Sequence, residues 1–144
     1  MEQVNVNDIS ITSLKKINLN GGEVMHALKK SDNSFKGFGE AYFSQINPGA
    51  IKAWKLHSKM TMNLIVPIGE VDFVFIDSIG GIRREKIGKE NYSRLTVPPG
   101  IWFGFRGASK TPSLLLNLAN IEHLPEEVQR KEIDEIEYNW EETK

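Results

Sequence analysis

The side chains that could do chemistry in this chain of 144 residues are few, because it has three histidines and no cysteine. Without cysteine, disulfides, thiolate metal ligands and a cysteine nucleophile are excluded. Lys52, Lys55 and His57 lie close together in one short segment. On an extended strand Lys55 and His57 should share one face and Lys52 should lie on the other, unless a bulge intervenes. The alternative is a structural histidine beside lysines of a solvated edge strand.

Composition narrows the possible partners. The formal net charge is -1, so nothing in the charge favours nucleic acid or an anionic membrane. The start of the chain lacks a basic region followed by an apolar stretch, and no apolar run approaches the ~20 residues of a membrane helix. With 144 residues, of which 40% are hydrophobic, the chain is long enough to form one domain with a buried core, and we expect a single domain over residues 1–144. Since no secretory signal or membrane helix is visible, we expect this domain to be cytoplasmic and to bind neither nucleic acid nor membrane.

Glycine, proline and asparagine interrupt the chain at short intervals, and runs rich in β-branched and aromatic residues lie between them. The runs are 41–46, 50–56, 63–68, 71–77, 93–97, 101–105 and 113–118. Short strands at this spacing predict an all-β sandwich or barrel. One short helical turn is expected at 125–130, where proline stands at the first helical position. The acidic tail after Glu132 carries aromatic and aliphatic residues, so part of it should pack.

One spacing in the chain matches a known motif. Gly49 is followed by five residues, Lys55-x-His57, four residues, Met62, six residues and Gly69. This resembles the first motif of the cupin superfamily, which reads Gly, five residues, His-x-His, three or four residues, Glu, six residues, Gly. The resemblance implies a cupin-type jelly-roll barrel with a short C-terminal helical turn and tail.

The segment 98–103 is similar to the second cupin motif, Pro-x-Gly-x-x-His. Metal-dependent cupins take two His and a Glu from the first motif and one His from the second. Those positions hold Lys55, His57, Met62 and Phe103 here. A divalent site needs three or four nitrogen or oxygen donors, and a lysine ammonium repels a cation. We therefore expect no metal.

Three blocks, 51–57, 69–77 and 98–105, and the closing segment 133–140 are similar to the dTDP-4-dehydrorhamnose 3,5-epimerase family. The chain resembles a divergent, shorter branch of that family. This resemblance implies a nucleotide-linked 4-keto-6-deoxy sugar as substrate, with dTDP as the nucleotide, in surface-polysaccharide biosynthesis. Because the substrate supplies the nucleotide, the resemblance implies no separate cofactor. A homodimer is also implied.

The implied chemistry needs a base, an anion stabiliser and an acid. A 4-keto group acidifies the neighbouring carbons, so a base can leave an enolate that an acid reprotonates on the opposite face. His57 aligns with the family's base, and its ordinary pKa of about 6.5 suits that role. Lys55 replaces an upstream arginine as anion stabiliser, Asp134 matches a late aspartate that orients the base, and Tyr42 is the candidate acid.

Four further residues are predicted to bind substrate. Lys52 could contact the diphosphate. Asn63 and Asn117 lie within apolar strands, where a buried amide needs partners, so they either hydrogen-bond in the core or contact a ligand. Trp102 could stack on the nucleotide base, with core packing or a dimer contact as the alternative.

The departures from the family pattern leave two other functions open. Met62 stands in place of the family's lysine and Phe103 in place of its second histidine. A nucleotide-sugar 3,4-ketoisomerase is one alternative, although that family usually carries a paired His-x-His. A catalytically silent protein that binds nucleotide sugars is the other.

Overall fold

The computed structural model describes residues 3–143, with side chains through 141, and this part of the chain is built from twelve strands and four 3₁₀ turns. The strands are β1 (Ser10–Ser13), β2 (Lys16–Leu19), β3 (Gly22–Met25), β4 (Glu40–Ile46), β5 (Ile51–His57), β6 (Met62–Ile68), β7 (Glu70–Ile76), β8 (Ile82–Gly88), β9 (Ser93–Val97), β10 (Trp102–Gly107), β11 (Ser113–Ala119) and β12 (Val128–Arg130). The 3₁₀ turns are Val6–Asp8, Pro125–Glu127, Ile133–Glu135 and Trp140–Thr143. The all-β prediction is confirmed, and the helical turn falls at Pro125 as expected. No helix in the described residues is long and apolar enough to cross a membrane.

The strands form two antiparallel five-stranded sheets. The first sheet has the order β1-β9-β6-β11-β4 and the second has the order β12-β5-β10-β7-β8. Strands β2 and β3 pair only with each other and form a separate hairpin. Many neighbours in each sheet are distant in sequence, so the two sheets close on each other as a jelly roll rather than as consecutive hairpins.

The core lies between the two sheets and is filled by the inward residues of each strand. Val71, Phe73 and Phe75 alternate along β7 and are fully buried. Phe103 and Phe105 of β10 lie directly opposite Phe75 and Phe73, so their side chains share the inner face of the second sheet. This alternation identifies which residues of the neighbouring strand β5 face inward.

The C-terminal tail covers the outer face of the second sheet, as its apolar residues predicted. The Trp140 ring packs on Trp54 with centroids 5.5 Å apart. Buried Arg106 fixes this tail, because its guanidinium donates to the Trp140 carbonyl at 2.6 Å and to Asp72 at 3.0 Å. Strand β5 is therefore held between the core on one side and the tail on the other.

Candidate active site

A cavity of about 450 Å³ opens between the two sheets. Strands β5, β10 and β12 of the second sheet line one side, and β4, β6 and β11 of the first sheet line the other. Five of the eight residues predicted for catalysis and substrate binding line it, and four of them are Tyr42, Lys52, Lys55 and His57. The fifth is Asn117, which lies on β11.

His57 ends β5 and is held by a buried carboxylate. Its Nδ1 lies 2.9 Å from Oε2 of Glu127 and 3.2 Å from Oε1. A carboxylate can only accept, so Nδ1 carries the proton in the neutral ring and Nε2 keeps its lone pair. The Phe103 ring stacks on the imidazole with centroids 5.8 Å apart, which fixes the ring plane. The free nitrogen of His57 is therefore the one available to the cavity.

Glu127 is itself fixed by several donors. Its side chain is fully buried, and its Oε1 accepts from the backbone amides of Met60 at 2.8 Å and Lys59 at 3.1 Å. Burial raises the pKa of Glu127, but the hydrogen bonds from His57 and the two amides outweigh it and hold the pKa below its ordinary value. The group is therefore a carboxylate that orients His57.

Sequence reasoning missed Glu127 and gave its role to Asp134. The structure places Asp134 on an exposed 3₁₀ turn, and the carboxylate at His57 comes from Glu127 instead. The signal was present in the predicted helical turn that begins at Pro125, because Glu127 lies in its first turn. Pairing of Val128 with His57 across β12 and β5 brings the end of this turn to the histidine.

A bulge in β5 turns Lys52 into the cavity. Lys55 lies opposite Phe103 and Lys52 opposite Phe105, whereas only Ala53 pairs with the intervening Gly104. One extra residue, Trp54, thus sits between the two lysines, and residues directly opposite across an antiparallel pair share a face. The expectation that Lys52 points away from Lys55 is wrong, because the bulge shifts the alternation by one residue.

A third cation joins the two lysines. Arg130 of β12 lies opposite Lys55 and lines the cavity. Burial lowers the pKa of the Lys55 ammonium, and the charges of Arg130 and Lys52 lower it further. The pattern of the sequence did not reveal Arg130, since its strand is only three residues long. The cavity lining also includes His123 and two acidic residues, Glu132 and Glu135.

Tyr42 and Asn117 lie on the opposite sheet from His57. They face each other across β4 and β11, and Nδ2 of Asn117 donates to the Tyr42 hydroxyl oxygen at 3.1 Å. Tyr42 is 42% exposed, whereas Asn117 is buried. The cavity therefore has a histidine on one wall and a tyrosine on the other.

Two predicted substrate contacts lie outside the cavity. Asn63 faces away from it, where Oδ1 accepts from Thr96 at 2.6 Å and Nδ2 donates to the Ser34 carbonyl at 3.2 Å. Trp102 packs with the outer cluster under the C-terminal tail, and the Lys131 ammonium lies 4.7 Å from its ring centroid. Both residues alternate along their strands with residues that face the cavity. The structure therefore supports core hydrogen bonding for Asn63 and packing for Trp102, rather than contact with a substrate.

The part of the chain that the structure describes contains no cluster of potential metal ligands. No group of three or more His, Cys, Asp and Glu side chains with metal-binding geometry occurs among residues 3–141. The cavity beside His57 instead carries ammonium and guanidinium groups, together with the apolar side chains of Met62 and Phe103. What this arrangement can do is proton transfer by one oriented histidine near several positive charges.

Comparisons with known proteins point in the same direction. A search of known protein families finds no match to the chain. A solved dTDP sugar isomerase from Desulfovibrio desulfuricans G20 is 34% identical, with a TM-score of 0.90 over 94% of this chain and 92% of that one. The spore coat polysaccharide biosynthesis protein SpsL of Bacillus subtilis (strain 168) is 24% identical over 145 residues, which is 94% of this chain and 96% of that protein. The dTDP-4-dehydrorhamnose 3,5-epimerase of Sulfolobus tokodaii shares the fold, with 18% identity and a TM-score of 0.79 over 95% of this chain and 85% of that one.

Proposed function

The chain belongs to the cupin-fold family of dTDP-sugar isomerases and 3,5-epimerases, and we propose that it epimerises a dTDP-linked 4-keto-6-deoxy sugar in surface-polysaccharide biosynthesis. The observation that carries this proposal is the buried carboxylate on Nδ1 of His57, which leaves Nε2 as a base facing a cationic cavity. The same cavity offers a tyrosine on its opposite wall.

In the proposed first step, Nε2 of His57 takes the proton from a carbon next to the keto group. The electrons of the C–H bond form the enolate double bond, and the negative charge moves to the keto oxygen. Glu127 keeps the ring in the tautomer that can accept and stabilises the imidazolium that forms. The unpaired ring nitrogen and the fixed ring plane support this assignment.

Lys55 stabilises the enolate oxygen in this proposal. Its ammonium shares the inner face of β5 with His57 and lies at the cavity, where it can contact the keto oxygen of a bound substrate. In the second step Tyr42 donates its hydroxyl proton to the same carbon from the opposite face. The electron pair of the enolate forms the new C–H bond, the ketone is restored, and both side chains then exchange protons with solvent.

Lys52 and Arg130 bind the diphosphate of the substrate in this proposal. They flank Lys55 on the cavity wall, and guanidinium and ammonium groups are the usual partners of phosphate oxygens. The nucleotide belongs to the substrate, so the proposal needs no separate cofactor. Trp102 and Asn63 are not part of the proposed binding site.

Solvent-deuterium exchange tests the proposal. Wild-type protein in D₂O should exchange a carbon-bound proton next to the ketone of dTDP-4-keto-6-deoxyglucose and form an epimer, whereas His57→Ala should lose both. Equal, slow exchange by the two proteins would contradict the enzymatic role. If the product is instead a 3-keto sugar, the same base and acid serve a 3,4-ketoisomerase, which product analysis by NMR distinguishes.

A homodimer and a cytoplasmic location complete the proposal. The hairpin β2–β3 supports the dimer, because Ile17, Leu19 and Val24 lie on one of its faces and are 42%, 58% and 44% exposed. An isolated hairpin is marginal in water, so this apolar face is expected to pack on a second copy. Sedimentation of the wild type and Val24→Glu tests this, and a monomeric wild type would contradict it.

The cytoplasm is proposed as the location of the protein because nucleotide sugars are made there.

A further inference from the structure

A buried asparagine faces the tyrosine to which the acid role is given. Asn117 is 2% exposed and directly opposite Tyr42 in register, with its Nδ2 3.1 Å from the phenol oxygen. We propose that Asn117 is a positioning residue that turns the Tyr42 hydroxyl proton towards the cavity and stabilises the phenolate left after donation. This inference rests on the acid role of Tyr42 in the proposed function.

The orientation of the amide supports a donor at the phenol. Besides Tyr42, Nδ2 of Asn117 lies 3.8 Å from the thioether sulfur of Met60. Sulfur is a weak acceptor and never a donor, so the nitrogen belongs on that side and a flipped amide would place oxygen against sulfur. The sulfur contact therefore places the NH₂ group, rather than the carbonyl, beside the tyrosine.

A donor at the phenol oxygen determines where the hydroxyl proton can go. The Tyr42 oxygen accepts from Asn117, so its own proton has to point elsewhere, and the structure gives it no acceptor among residues 3–141. Tyr42 lines the cavity, and that is where the substrate carbon would lie. When the proton leaves, the phenolate keeps the amide hydrogen bond, which is stronger to a charged acceptor.

The burial of Asn117 argues against a purely structural role. Its carbonyl oxygen has no hydrogen-bond partner among the described residues, although the atom is buried. The inward residues on either side of it along β11 are Leu115 and Ala119, so an apolar side chain would fit the strand. A buried amide with one unsatisfied end is costly, which indicates that the other end has a function.

The test compares two variants, Asn117→Leu and Asn117→Asp. The first removes the donor, and the second replaces it by an acceptor that would attract the hydroxyl proton. Both should lower kcat by at least about tenfold with KM within about twofold, because proton donation and not binding is affected. Gln45→Leu, the same kind of change on the outward face of β4, is the control that should leave both constants unchanged.

A readout specific to the acid separates positioning from packing. Both Asn117 variants should still exchange deuterium next to the ketone, since His57 and Lys55 are intact, while epimer formation falls with kcat. The double variant Tyr42→Phe with Asn117→Leu should be no slower than Tyr42→Phe alone. A wild-type kcat in Asn117→Leu, a rise of KM alone, or a further loss in the double variant would overturn the inference.

The hydrogen bond between Asn117 and Tyr42 can be tested without any substrate. In ¹³C-tyrosine-labelled protein at one neutral pH, the ring resonance of the Tyr42 carbon that bears the hydroxyl should shift between the wild type and Asn117→Leu, because the phenol oxygen has lost its donor. An unchanged resonance overturns the inference even if the protein is an epimerase. Conversely, a wild type that never exchanges substrate protons refutes the proposed function, while the resonance still reports on Asn117.

Discussion

The carboxylate of Glu127 lies 2.9 Å from Nδ1 of His57, across seventy positions of the chain. The same carboxylate accepts the amides of Lys59 and Met60, so it fixes both the ring and the turn that follows β5. The Glu127 carbonyl additionally accepts from the amide and the hydroxyl of Ser58. One residue therefore sets the tautomer of the histidine and the path of the backbone beside it.

Replacement of Glu127 by glutamine should disable the base while keeping the fold. The glutamine oxygen can still accept the amides of Met60 and Lys59, but its NH₂ group would donate to Nδ1 of His57. The proton then moves to Nε2, which can no longer accept. We expect kcat to fall by about 10²-fold or more, as for loss of a general base, measured by deuterium exchange into the substrate.

Asp134→Asn is the matched control for this change, because it also converts an acid to its amide in the C-terminal region. Asp134 is exposed and does not contact His57, so the kcat of the Asp134→Asn variant should equal that of the wild type. A loss in Asp134→Asn comparable to that in Glu127→Gln would restore the role that the sequence assigned to it.

The protein should lose stability at acidic pH because Glu127 becomes protonated. Its pKa is lower in the folded than in the unfolded state, so the folded protein binds its proton less readily. The resulting stability is fully present above the unfolded pKa of about 4.3 and is lost as pH falls through the lower folded pKa. Urea unfolding from about pH 7 to pH 3 should show this loss in the wild type. Glu127→Gln should lack this component, and parallel curves for the two proteins would refute it.

Lys52 should contribute to substrate binding, because the bulge directs it into the cavity. Lys52→Met is expected to raise KM by about tenfold or more with a smaller change in kcat, as for loss of an ion pair with a phosphate. Lys110→Met, at an exposed lysine in the loop between β10 and β11, is the control and should match the wild type. An unchanged KM for Lys52→Met would mean that the lysine faces solvent, as simple alternation predicted.

The sequence predicted what depends on local pattern and failed where distant strands meet. The turn residues and the motif around His57 predicted the all-β fold, and the two lysines lie in the same motif. Glu127 reaches His57 only because β12 pairs with β5 at the edge of the second sheet. A strand of three residues is too short to be predicted from the sequence pattern. Asn63 shows the same limit, since period-2 alternation did not reveal which face of β6 is the inner one.

Gly104 should be needed for the bulge that directs Lys52. A Cβ at this position would lie 2.7 Å from the Cβ of Ala53 and 3.1 Å from the Trp54 ring, so Gly104→Ala forces both residues of the bulge to move. We expect the free energy of unfolding to fall by about 1–3 kcal/mol, as for overpacking, and KM to rise because Lys52 shifts. Gly22→Ala, where no atom lies within 4 Å of the added Cβ, should change stability by less than about 0.5 kcal/mol. Urea unfolding and substrate kinetics measure both variants, and wild-type values for Gly104→Ala would show that the bulge does not depend on this close contact.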